Sequence, residues 1–375
     1  MKQLFALTCH RTEFKTLVLC LSLFGLCLSA SAGEPSIVTF DPPGSVTTFV
    51  VQINPSGTIV GFYLDATDLY HGFRRTPDGK ITSYDAPGAG KGTFQGTAIY
   101  SINPYGTMAG QYIDPNNVFH GFLLSVGGAY TIFEAPSAGT GAGQGTFLWN
   151  LNAGGDVTGS FVDTGDAFQG TEVWRGYVRA ADGTFTEYDA SGAGTGPGQG
   201  TTTNLGDCMN PSGAVAGEYI DATNVAHSFV RNRHGDITEF DPPGASTSFP
   251  DGINAGGDIV GEYGDANGVG HGYLRDGHGR FTEIDVPGAG TGSGQGTGGI
   301  GIAENGAIVG VYVDANGVYH GFMRTQNGRI TTFDVPGAGT GAGQGTFALS
   351  NTPSGMVAGA YVDGANVEHG FLRIP

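Results

Sequence analysis

The sequence predicts an all-β chain, a seven-bladed β-propeller of four-stranded blades closed by its own N-terminal strand. Three observations support this. A tripeptide recurs seven times at a blade-like period, hairpin dipeptides separate short β-rich runs, and the strand missing from the last repeat stands at the N-terminus.

Residues 1–32 read as a secretory signal, with Lys2, Arg11 and Lys15 ahead of an apolar run from Leu17 to Leu28 and Ala30-Ser31-Ala32 as an A-x-A cleavage site. The mature chain, 33–375, is then one domain, secreted or periplasmic. No other stretch approaches the roughly 20 apolar residues of a membrane span. Cys9, Cys20 and Cys27 leave with the signal, so Cys208 has no intrachain partner and reads as a small buried hydrophobe. Removing the signal's three basic residues and Glu13 leaves 16 − 3 = 13 Lys+Arg against 34 − 1 = 33 Asp+Glu, a net charge of −20. Such a surface repels nucleic acid and anionic membranes.

The repeat shows first in His71-Gly72-Phe73, which returns at His120, His227 (as HSF), His271 (as HGY), His320 and His369, with Arg175-Gly176-Tyr177 filling the gap. The spacings of 49, 55, 52, 44, 49 and 49 residues exceed helical-repeat periods and approach a kelch-type blade. In the sixth unit "GGIGIAENG", "AIVGVYVDANG", "VYHGFMRTQNG" and "RITTFDVPG" read as four strands. Asn327-Gly328 between the last two is a strong hairpin signal, and Asp78-Gly79 and Asp182-Gly183 replace it elsewhere. With 69 glycines and no long amphipathic period, helices are excluded. The last unit stops at "HGFLRIP" without a fourth strand, and "SIVTFDPPG" (Ser36 to Gly44) supplies its match. A ring joins its ends this way, whereas an open solenoid exposes both edges.

Positions shared among units have local explanations. A glycine in every second strand, Gly61 through Gly359, marks close approach of another backbone. Aromatics two residues later, and in the HGF tripeptide, should pack between blades. The aspartate ending each second strand, six residues before the histidine in six units, suits a turn in which its carboxylate accepts from turn amides or the imidazole. A ring of calcium sites is the alternative, but each turn offers few oxygens, so no metal is expected. An arginine four residues after the histidine, Arg75 for example, should pair locally. Acidic fourth-strand residues such as Asp41 and Asp85 should form turns. The Gly-rich connectors, such as Gly337 to Thr346, lack a helix N-terminus and a Walker lysine, so no nucleotide cofactor is expected.

The segment "INPSGTIVGFYLDATDLYHGF" (Ile53 to Phe73) resembles the HAF-type extracellular repeat of bacterial exported proteins, whose signature is an Ile-Asn-x-x-Gly turn, a mid-strand glycine and a closing His-Ala-Phe, here mostly His-Gly-Phe. Ala303 and Thr352 replace the asparagine in the last two units. The resemblance covers the mature chain and implies export and a β-repeat fold. It transfers no catalytic residue.

Function is open at this stage among three classes: an exported non-catalytic binding or interaction module, a propeller enzyme acting on a polysaccharide or glycosidic metabolite, and a structural surface protein. The partner is a small molecule, a glycan or a protein. Unit three alone breaks the repeat, doubling its Asp-to-third-strand spacing from six to twelve with "TGDAFQGTEVW" (Thr164 to Trp174). Asp166, Gln169, Glu172, Trp174 and Arg175, which stands where other units have histidine, form the candidate ligand-binding set. Trp149 lies in the same unit. A tryptophan beside carboxylates and an amide can stack on a sugar face and take its hydroxyls. The competing reading is a decorative loop with Trp174 packed on the blade.

Overall fold

The computed structural model describes residues 35–203 and 206–375, and the signal-peptide reading of residues 1–32 lies outside them. The described residues are all-β, with 28 strands and no helix. Strand β1 (Ser36–Phe40) stands alone, and repeated units follow. The first is β2 (Ser45–Ile53), β3 (Ile59–Asp65), β4 (Tyr70–Arg75) and β5 (Ile81–Tyr84). The second is β6 (Gly96–Ile102), β7 (Met108–Ile113), β8 (Phe119–Leu124) and β9 (Tyr130–Phe133), and the third β10 (Gly145–Leu151), β11 (Val157–Val162), β12 (Val173–Arg179) and β13 (Phe185–Tyr188). The fourth is β14 (Gln199–Thr202), β15 (Val215–Ile220), β16 (Ala226–Arg231) and β17 (Ile237–Phe240), and the fifth β18 (Thr247–Ile253), β19 (Ile259–Gly264), β20 (Gly270–Arg275) and β21 (Phe281–Ile284). The sixth is β22 (Gly296–Ile302), β23 (Ile308–Val313), β24 (Tyr319–Arg324) and β25 (Ile330–Phe333), and the last is β26 (Gly345–Asn351), β27 (Val357–Val362) and β28 (Glu368–Ile374).

Within each unit consecutive strands pair antiparallel. Parallel bridges of one or two residue pairs join a third strand to the next unit's first, as β4 to β6 at Tyr70 and Gly96 and β12 to β14 at Val173 and Trp174. These bridges merge the strands into a 16-stranded sheet, β2 to β17, and a 12-stranded sheet holding β18 to β28 and β1. The sheets part where connectors are the short DPPG type, before β2 and before β18. The long connectors explain the difference. Gln95 Oε1 accepts from Gly92 N at 2.9 Å while its Nε2 donates to Asn117 Oδ1 at 2.8 Å, which holds the Gln95 carbonyl where Tyr70 N donates to it at 2.9 Å. Connectors and aspartate turns therefore share one end of the strands. The opposite end carries the Ile-Asn turns, where Asn54 Oδ1 accepts from Thr58 N and Asn54 Nδ2 donates to the Asn103 carbonyl of the next unit.

The core lies between consecutive units. Val60 of the first packs with Ile99, Met108 and Phe122 of the second, and Ile53, Ile59 and Phe73 of the first pack with Ala358 and Leu372 of the last. The third-strand aromatics Phe73, Phe122, Tyr177, Phe229, Phe322 and Phe371 are fully buried, as the sequence led us to expect. At the chain ends β1 pairs antiparallel with β28, from Ser36↔Ile374 to Phe40↔Gly370.

Candidate ligand cavity

The recurring polar residues form one device in each unit. His71 Nδ1 donates to Asp85 Oδ1 at 2.7 Å, its Nε2 faces Asp65 Oδ2 at 3.5 Å, and its ring stacks on Tyr63 with centroids 5.0 Å apart. Asp65 Oδ1 meanwhile accepts from the turn amides of Thr67 and Leu69, and bonds from the Thr67 side chain and these amides lower its carboxyl to about 2. The fourth-strand acids expected to form turns are thus the histidines' partners. At His120, burial pulls the imidazole pKa down, but Glu134 and Asp114 more than offset it and leave it raised. The recurring arginines pair with rings rather than carboxylates: the guanidiniums of Arg75, Arg179, Arg231, Arg275 and Arg373 lie 4.6–5.3 Å over fourth-strand aromatics of the preceding unit or, for Arg75, over Phe40 of β1. Among the described residues one His-acid group, His271, Glu283 and Asp285, brings three possible metal-ligand atoms within 4.8 Å of one another. It is the same clamp with one added carboxylate, and Glu283 already accepts from Tyr263 Oη at 2.5 Å.

Unit three modifies this device. Arg175 takes the histidine's place, its Nη1 donating to Asp189 at 2.8 Å and its Nε standing 3.4 Å from Asp163. It bridges the same two acids that histidine bridges elsewhere. Arg175→Ala should leave these two carboxylates without a shared cation and cost about 1 kcal/mol, a melting shift of a few degrees, while Arg175→His should restore most of it. Equal melting of both variants with the native protein would remove the clamp's energetic role.

A cavity of about 580 Å³ opens beside this unit at the connector end of the strands. Trp174, Trp149 and the inserted Ala167 and Phe168 line it, as do Phe119 and Phe147. Phe168 stacks on Phe119 at 5.3 Å and Trp174 stands edge-on to Phe147 at 4.8 Å, so the insertion extends an aromatic wall. Of the predicted set only Trp174 reaches the cavity. Asp166 folds the loop, its Oδ1 accepting from Phe168 N and its carbonyl from Gln169 N, and Gln169 is exposed. Glu172 is fully buried: Oε1 accepts from Trp174 Nε1 at 2.9 Å, Oε2 has no hydrogen-bond partner, and burial raises the carboxyl above its usual range. Glu172 therefore fixes the Trp174 indole from behind.

The cavity's polar residues come from other units: its carboxylates are Glu218, Asp251 and Glu262, with Gln111, Asn224, Thr202, Thr203 and Thr247 beside them. Gln111, Glu218 and Glu262 each follow the mid-strand glycine, a position filled by Phe62, Ser160, Val311 and Ala360 in the remaining units. A variable site inside a constant frame was the available signal. At the opposite strand ends a smaller cavity, about 120 Å³, lies among the Ile-Asn turns, where Gln52 bonds Asp207 and burial pushes the Asp207 carboxyl up to about 6.

No family model matches the chain, and no curated protein matches it. Three solved structures show its likenesses. Puromycin hydrolase is 13% identical at a TM-score of 0.51, the match covering 86% of this chain and 52% of that one. TolB from Acinetobacter baumannii is 13% identical at 0.46, covering 78% of this chain and 64% of that one. The Aleuria aurantia lectin, described as a six-bladed β-propeller with a fucose recognition mode, is 11% identical at 0.43, covering 78% of this chain and 96% of that one. The chain thus spans about half the length of puromycin hydrolase and just under two thirds of TolB. At this identity the likeness to puromycin hydrolase is one of fold alone, and the chain is an all-β protein of repeated four-stranded units.

Proposed function

We propose that the protein is an exported, non-catalytic binding module, a seven-bladed propeller of the HAF-repeat type closed by β1, which holds a small ligand in the cavity beside unit three. Closure is supported by the β1–β28 pairing, by β2 packing on β27 and β28, and by His369 donating to Asp41 across the chain ends at 2.8 Å. A non-catalytic role is supported by the equivalence of the histidine clamps, whose Nδ1 atoms bind structural carboxylates in every unit that has a histidine there. The observation that carries the reading is the cavity itself: its size suits a small ligand, and both tryptophans of the chain line it.

That coincidence supplies the test. Tryptophan emission reports on this cavity alone, so a panel of soluble glycans and small metabolites can be screened by emission change together with thermal shift. A true ligand should do both, and Trp149→Ala should weaken it about tenfold at an unchanged melting temperature. Trp174→Ala serves as a second variant, because Trp174 is more deeply packed. Ligands that stabilise the protein without altering emission, and bind both variants as they bind the native chain, would place the site elsewhere.

A further inference from the structure

An open depression of about 140 Å³ lies at the Ile-Asn turn end of the strands, between the first and second units. Two of the residues lining it break the repeat. Arg74 stands where every other unit has leucine, valine or methionine, and Tyr105 stands where the others have serine, glycine or asparagine. They come from different units and meet in this one place.

Register sends Arg74 there. It pairs with Val60 of β3 and Thr82 of β5, so its side chain shares the face of Val60, which is buried against the second unit. In the last unit the same position holds Leu372, a core residue, so the arginine forgoes apolar burial. Its guanidinium gains little inside the chain in exchange. The Tyr84 ring is 5.7 Å away, farther than the 4.6–5.3 Å of the recurring arginines. Its buried Nε has no hydrogen-bond partner, and no carboxylate of the described residues forms a salt bridge with it.

Tyr105 is 75% exposed and Val126, also lining the depression, is 64% exposed, more than any other large hydrophobic side chain of the described residues. A ring standing in water at a turn that serine or glycine fills elsewhere does no packing. No carboxylate lines the depression. Asp78, on the adjoining β4–β5 turn, accepts from Thr76 Oγ1 and from the Lys80 amide. The Ser56 hydroxyl donates to Asn54 Oδ1 at 2.7 Å, so the Thr58 hydroxyl, 3.4 Å from Ser56 Oγ, is a second donor beside Arg74.

We propose that this depression is a second binding site, separate from the cavity beside unit three, and that it takes a uronic acid. The planar guanidinium fork of Arg74 matches a carboxylate, and the exposed face of Tyr105 suits the apolar face of a pyranose ring. The space is too small to enclose a whole ligand and fits the acidic edge of one sugar residue. The chain's formal charge of −18 opposes a long polyanion, so the site suits an isolated uronate rather than a run of them.

The repeat itself supplies the variants. Arg74→Leu and Tyr105→Ser each install the residue that other units carry, so both should melt at the native temperature or above it. Glucuronate, glucuronamide, glucose and inorganic sulfate are titrated into the full mature protein by calorimetry and saturation-transfer NMR. Glucuronate should bind with a Kd of about 1–10 mM, at least about fivefold more tightly than the other three, and each variant should lose at least about fivefold. Asn305→Ser, at the Tyr105 position of the sixth unit, should change nothing. Tryptophan emission, which reports the other cavity, should stay constant. Amide or glucose binding as tight as glucuronate would remove the role of charge, and sulfate binding as tight would reduce the site to an anion contact without a sugar. Unchanged binding in Arg74→Leu, a change in tryptophan emission, or no binding up to about 50 mM would each overturn the proposal.

Discussion

Deleting Ser36–Gly44 from the mature protein should lower its unfolding midpoint by about 10 °C or more and open the chain to proteolysis at β28. The deleted segment does several jobs at once. Its strand pairs with β28 over five residues, from Ser36↔Ile374 to Phe40↔Gly370. Phe40 packs edge-on to the buried Phe73 at 6.1 Å, lies beneath the Arg75 guanidinium at 5.0 Å, and fills space kept open by Gly370, whose Cβ would stand 2.7 Å from that ring. Asp41 accepts from His369 Nδ1 at 2.8 Å and from Thr48 Oγ1 at 2.7 Å. Burial of an aromatic is worth about 1.5–3 kcal/mol, and buried donors left without partners add about 1–3 kcal/mol. Together these exceed what any surface substitution removes. A synthetic peptide of the deleted segment should restore the midpoint when added in excess, because its docking site is preformed by β28 and the first unit. An unchanged midpoint and unchanged cleavage would show that the two chain ends are not joined through β1.

The division between what was and was not legible in the sequence follows from repetition. A feature present in every unit can be compared with its copies, so the mid-strand glycines, the aspartate turns and the fully buried HGF aromatics were assigned from spacing alone. Partners were harder. Asp85 and its counterparts lie fourteen residues beyond their histidines, on a strand whose register is set by the hairpin, and spacing alone suggested only a turn. The arginines were expected to pair locally, but their partners are rings in the preceding unit, reached only once units are stacked. The cavity was least legible because it depends on what is not repeated. Unit three drew notice through its insertion, and Trp174 and Trp149 do line the cavity, yet Glu218 and Glu262 sit in units of ordinary length. Only the knowledge that the residue after the glycine faces inward makes those two substitutions conspicuous. Asp166, Glu172 and Arg175 were selected for their chemistry, and the fold uses them to shape a loop, hold an indole and replace a histidine.

The mid-strand glycines give the other large expected effect: Gly159→Ala should destabilise the protein by about 3 kcal/mol or more, against the few tenths to 1 kcal/mol by which Gly→Ala ordinarily stabilises a compatible site. The reason is a bulge. In β10 the register with β11 shifts between Leu148 and Asn150, immediately after Leu148 pairs with Gly159. The same shift recurs beside Gly61, Gly110, Gly261, Gly310 and Gly359. A bulge increases local twist and turns a carbonyl out of the ladder. Here the Phe147 carbonyl is turned onto the glycine, where an added Cβ would lie 2.0 Å from its oxygen and 2.6 Å from Tyr177 Oη. Neither neighbour can yield: the carbonyl belongs to the paired backbone, and Tyr177 is fully buried. Because Trp149 is the residue the bulge leaves unpaired in the ladder, Phe147 lies just before it and both line the cavity, the variant should also shift tryptophan emission without ligand. Gly364, in an aspartate turn with nothing within 4 Å of an added Cβ and no left-handed backbone, is the matched control and should tolerate alanine within about 1 kcal/mol. Denaturant melts of the two variants decide the matter. If Gly159→Ala unfolds at the same midpoint as Gly364→Ala, the close backbone approach does not constrain this strand, and the recurrence of the glycine needs another cause.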